Sequence, residues 1–77
     1  MKETLQIIIE GIVNEKEKVS ISENISDNNV TYEVQVAEND VGRVIGKEGK
    51  MAKSIRNIMK SIGAKNKQKV TVEFIGK

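Results

Sequence analysis

The chain has no cysteine, no histidine, no proline and no tryptophan, and Tyr32 and Phe74 are its only aromatic residues. Without cysteine there is neither a disulfide framework nor a thiolate metal site. Without histidine the commonest metal ligand and the commonest acid–base group near neutral pH are both missing. Zinc chemistry and triad-type nucleophilic catalysis are therefore excluded. Long hydrophobic runs are lacking too: the apolar stretch from Leu5 to Ile9 contains Gln6 and stops at Glu10. It is far too short for a membrane span or the core of a signal peptide, which points to the cytoplasm. At 77 residues the chain holds one domain, near the small end of those that fold alone.

Charge is nearly balanced overall, at +2, but it is segregated along the chain. Residues 1–40 carry three lysines against nine carboxylates, a balance of −6, and residues 41–77 carry ten cations against two carboxylates, a balance of +8. Such a basic half is an electrostatic footprint for a polyanion.

The basic half begins with Gly42-Arg43-Val44-Ile45-Gly46-Lys47-Glu48-Gly49-Lys50. Two glycines three apart let the chain turn sharply with positive φ, and they leave its backbone bare enough for another polymer to approach. A helix beginning here would turn unpaired N–H groups and the positive end of its dipole outward, with Lys47 and Lys50 adding full charges. A phosphodiester backbone suits that arrangement. A nucleotide-phosphate enzyme site does not, because a Walker A loop needs four residues between its glycines and Ser or Thr after the lysine, where Glu48 stands.

Leu5, Ile8, Ile9 and Ile12 recur at helical spacing and predict a first helix. Val19 and Ile21 alternate with serines as a short strand to Ser22, and Ser26 to Asn29 supply a turn. Val30, Tyr32, Val34 and Val36 then share one face of a second strand, antiparallel to the first. Glu38, Asn39 and Asp40 form an N-cap cluster for a short helix from Val41 to Ile45. After the glycine loop, Met51, Ala52, Ile55, Ile58, Met59 and Ile62 share one arc of a long helix, with Gly63 as its C-terminal stop. A basic loop, residues 64–69, leads to a third strand in which Val70, Val72 and Phe74 alternate with Thr71, Glu73 and Ile75. The expected architecture is α+β, order α-β-β-α-α-β, with three helices on one face of a three-stranded mixed sheet.

A helix, G-x-x-G loop and helix set between strands in this order resembles the type II KH domain, and Val44 to Lys50 is similar to its I-G-x-x-G signature. Within that group the run from Gly42 to Arg56 resembles the small bacterial RNA-binding proteins of the KhpA family, whose pattern is G-K-V-I-G-K-x-G-[RK]-x-A-K-x-I-R. Arg43 here replaces a common lysine, and Lys50 a common arginine. The resemblance implies a non-enzymatic RNA chaperone or post-transcriptional regulator that binds about four nucleotides of single-stranded RNA in a narrow cleft, without cofactors. Gly46 and Gly49 would make the turn, Lys47, Glu48 and Lys50 would lie in the clamp, and Val41, Val44 and Ile45 would floor the base groove. Arg43, Lys53 and Arg56 would extend the basic track. With Tyr32 and Phe74 both facing the core, base stacking on aromatics is not the expected device. The family also implies self-association, or pairing with the larger KH-containing protein KhpB. Apolar residues outside one stripe, Ile7, Met59 and Ile75, suggest an exposed patch, and an interface around Met59 and Ile62 is expected. The alternative is a protein-interaction module whose RNA binding is vestigial.

Overall fold

A computed structural model describes residues 1–76, so Lys77, the last of the ten cations, lies outside the described residues. The elements are α1 (Lys2–Glu10), β1 (Ser20–Ser26), β2 (Asn29–Val36), α2 (Val41–Ile45), α3 (Lys50–Lys65) and β3 (Lys69–Gly76), with 3₁₀ turns at Lys16–Lys18, Glu38–Asp40 and Lys47–Gly49. This is the expected α+β order, three helices and a three-stranded mixed sheet, consistent with a type II KH fold.

The strands lie in the order β1-β2-β3. β1 runs antiparallel to β2 across the turn at Asp27 and Asn28, from Ser26 opposite Asn29 to Ser20 opposite Gln35. β3 runs parallel to β2, from Val70 beside Val30 to Gly76 beside Val36. Parallel neighbours cannot be joined by a tight turn and need a crossover of a dozen or more residues. Residues 37–68 are that crossover, and α2, the glycine loop and α3 are what it contains.

Every second residue of β2 is buried: Val30, Tyr32, Val34 and Val36 meet Leu5 and Ile9 of α1, Val44 of α2, and Ile55 and Met59 of α3 in one core. The two-residue period of the strand and the three-to-four-residue period of the helices converge on the same apolar volume. The Tyr32 hydroxyl donates to Glu23 Oε2 at 2.7 Å, so its burial leaves no orphan polar atom. Burial first, and then the Glu23 carboxylate, push that hydroxyl's pKa well above its ordinary value.

Four expectations are corrected. β1 reaches Ser26 rather than Ser22, because pairing with β2 continues where the strand's own alternation fades and leaves Ile25 58% exposed. The apolar arc of α3 is wider than the core it meets, so Met51 and Ile58 stay 40% and 46% exposed. Met59 lies at 0% exposure in the core and is closed to any partner, while Ile62 remains half-buried. Gly63 does not stop the helix, which continues to Lys65. It is there for close packing: a Cβ on it would lie 2.4 Å from Val70 Cγ2 and 3.0 Å from the Gln68 carbonyl oxygen.

Gly63→Ala should therefore cost about 1–3 kcal/mol through overpacking, read as a lower urea midpoint at unchanged slope. A midpoint equal to wild type would mean that α3 and β3 tolerate a methyl group between them.

Candidate nucleic-acid interface

α2 closes when the Gly46 N–H donates to the Gly42 carbonyl at 2.9 Å. Gly46 then leaves the helix at φ 76, ψ 175, a region essentially reserved for glycine. A Cβ there would also lie 2.6 Å from Met51 Cβ and 2.9 Å from Met51 N, so the residue is held by conformation and by space. The next three residues form one 3₁₀ turn, closed by the Gly49 N–H to the Gly46 carbonyl at 3.2 Å. Gly49, at φ 75, ψ 11, starts α3 from the left-handed region with open space around it. Between them Glu48 sits at φ 57, ψ 25, an uncommon conformation for a residue with a side chain.

The loop therefore lifts Lys47, Glu48 and Lys50 into solvent at the N-terminus of α3. No side chain caps that helix and its first turn has no acidic residue, so no side chain competes for an approaching anion, and the Gly46 and Lys47 carbonyls take only the N–H groups of Gly49 and Lys50. Glu48 forms no ion pair with Lys47 or Lys50 among the described residues, and its exposed carboxylate faces water. Lys53, one turn beyond Lys50, is also exposed.

Other expected site residues are divided between surface and scaffold. Val44 is fully buried and belongs to the core, so it cannot floor a base groove; on a helix of five residues it faces the sheet. Ile45 is 38% exposed, and Val41 is half-buried where α2 meets the end of β3 at Gly76. Arg56 bridges α3 to β3: its Nε–H donates to the Val72 carbonyl at 3.1 Å, and its guanidinium lies 5.4 Å from the centre of the Phe74 ring. Arg43 is half-exposed, with Nε 3.4 Å from Asp40 Oδ1.

That last contact leads to a residue whose role has no sequence signal. Asp40 stands in the N-cap cluster but makes no side-chain cap bond. Its carboxylate, 1% exposed, instead accepts the N–H of Asn14 at 3.2 Å and of Glu15 at 3.0 Å. It pins the α1–β1 connection to the base of the helix that carries the glycine loop. The Glu15 N–H foremost, then the Asn14 N–H and the Arg43 charge, hold its pKa below the usual aspartate range, against burial, which alone would raise it.

A crossover of two helices joined by this glycine loop, laid on a β-β-β sheet with one parallel pair, defines a KH domain of the type II arrangement. The family model described as "KhpA/KhpB, KH domain" matches residues 2–74, and the chain belongs to that family. It is 39% identical over 75 residues to a protein named RNA-binding protein KhpA in Listeria monocytogenes serovar 1/2a, covering 97% of this chain and 99% of the relative. The RNA-binding protein KhpA of Clostridium perfringens is 39% identical over 97% of this chain and its own full length, and that of Chlamydia trachomatis serovar D is 37% identical over 97% and 96%. No solved structure matches the chain significantly.

Gly46→Ala should destabilise the domain by more than Gly49→Ala, which meets open space and costs about 1–2 kcal/mol of left-handed strain. Equal losses in thermal melts would show that conformation alone decides both positions. For Asp40, the lowered folded pKa means that its stabilisation is present above the unfolded value of about 3.9 and is lost as pH falls through the folded value. Asp40→Asn should melt below wild type at pH 7, and the gap should narrow below about pH 4. A gap constant with pH would count against the carboxylate's charge as the cause.

Proposed function

We propose that this protein binds single-stranded RNA without catalysing a reaction, and acts as an RNA chaperone or post-transcriptional regulator in the cytoplasm. One observation carries the reading: two glycines at positive φ, three residues apart, raise an exposed turn flanked by lysines at the uncapped start of a helix with no acid in its first turn. The names of the relatives support RNA as the ligand. Lys47 and Lys50 with the nearby amides hold phosphates; Ile45 and the exposed part of Val41 supply apolar surface for bases; Lys53 continues the track. Arg43 and Arg56 add positive field at its margins while also serving the fold. Among the described residues no helix is long and apolar enough to cross a membrane.

Assembly is the second element of the reading. One cleft for about four nucleotides discriminates poorly, and joining two clefts raises avidity by roughly 10²–10⁴. We infer a homodimer, or a pair with a larger protein of the KhpB kind. Ile58, 46% exposed on α3, one turn before half-buried Ile62, favours that flank of the helix for the contact in place of Met59.

Replacing Lys47 and Glu48 together with aspartates should weaken binding to a short single-stranded RNA at least about tenfold while circular dichroism stays native, since the exposed turn supports no packing. Wild type should prefer single-stranded RNA to duplex and to mononucleotide. If about three or four cations contact phosphate, the slope of log K on log salt should be roughly −2 to −3. Unchanged affinity in the natively folded double variant, or a slope near zero, would overturn the phosphate clamp.

A further inference from the structure

The long helix is basic at both ends, and only one end belongs to the glycine loop. From Gly49 to Val72 the chain has seven cations and no carboxylate. Lys50, Lys53, Asn57 and Lys60 fall at i, i+3, i+7 and i+10, one solvent-facing strip along α3, all exposed. From Lys50 to Lys60 the strip runs about 15 Å, and the 16-residue helix that carries it ends at a turn bearing Lys65, Lys67 and Lys69, all exposed. Among the described residues none of these six lysines takes part in an ion pair.

The turn is built rather than loose. The N–H groups of Asn66 and Gln68 both reach the Gly63 carbonyl, at 2.9 and 2.8 Å, the Lys67 N–H reaches that of Ala64 at 3.1 Å, and the Lys69 N–H donates to Asn28 at 2.7 Å. Lys67 is held at φ 59, a left-handed position that glycine or asparagine would occupy with less strain. With these backbone amides spent on the fold, the charge that meets an anion here is carried by ammonium groups alone. Here they contrast with the glycine loop, where an uncapped helix start adds its own N–H groups.

We propose that the Lys65–Lys69 turn is a second phosphate-contact site, reached by the same RNA strand after it leaves the glycine loop and follows the strip along α3. It lengthens the bound segment beyond the cleft's roughly four nucleotides and adds sequence-independent affinity. The strip offers no apolar side chain for an acidic peptide to bury against, so a flexible polyanion fits it better. This inference rests on the RNA-binding reading.

The test compares fluorescein-labelled oligouridylates of about four and about twelve nucleotides by anisotropy. Three proteins are used: wild type, the triple variant K65Q/K67Q/K69Q, and a control of equal net charge, K2Q/K16Q/K18Q. Sedimentation checks that all three proteins have the same oligomeric state and bind the strand at the same stoichiometry. The longer strand gains affinity from its extra registers alone, so the readout is selective loss. The turn variant should bind the long strand about tenfold more weakly, with a salt slope shallower by about 1.4–2, and bind the short strand within about twofold of wild type. The control should match wild type on both. Equal loss on both strands, no loss on the long one, or an equal loss in the control would overturn the second site while leaving the cleft standing. Failure of wild type to bind either strand would overturn the RNA reading itself. Should the triple variant lose its native circular dichroism, K65Q/K67N, with asparagine suited to the left-handed position, serves the same comparison and expects a selective loss on the long strand, with a salt slope shallower by about 0.7–1.4.

Discussion

The parallel pairing of β2 with β3 is the constraint from which the exposed glycine loop follows. An antiparallel neighbour could have been reached by a two-residue turn, as β1 reaches β2 through Asp27 and Asn28. A parallel one obliges the chain to travel back across the sheet, and residues 37–68 make that journey as two helices rather than one. The break between them is the glycine loop. It stands proud of the core because α2, only five residues long, commits Val44 to the interior and is then turned by Gly46.

Holding such a short helix in place needs more than one buried valine. Asp40 supplies a polar tether, its two oxygens taking the N–H groups of Asn14 and Glu15, twenty-five residues or more away along the chain. Arg43 closes the arrangement from the solvent side. A carboxylate removed from water is costly unless paired, and here two backbone donors and a guanidinium pair it. On the opposite flank, Arg56 ties α3 to the edge strand through the Val72 carbonyl and the Phe74 ring. Two of the cations in the basic half thus serve the scaffold as well as the field around it.

The charge segregation has a spatial meaning once the fold is known. The helix that follows the loop exposes lysines along one strip and keeps its carboxylates at zero, so its potential is of one sign from end to end. Glu48 is the exception in the loop itself. It sits at a left-handed φ on an exposed turn, and among the described residues its carboxylate forms no ion pair with the flanking lysines.

Much of this was legible in residue order. The two-residue alternation from Val30 to Val36, the helical spacing of Leu5 and Ile9 and of Ile55 and Met59, and the glycine pair determined the kinds of element, their order and the position of the loop, because periodicity and positive-φ demand are local properties. Pairing across distance was not legible. Whether Met59 or Ile58 met the core, whether Gly63 ended a helix or admitted Val70, how far β1 ran, and what Asp40 held depended on which surfaces came together. An apolar arc on a helix is wider than the strip a sheet can cover, so the sequence marks the candidates for burial and tertiary contact selects among them. The same holds for the cations: their number is written in the chain, and only the packing of α3 on β3 decides which of them remain exposed along one side and which are spent on the fold.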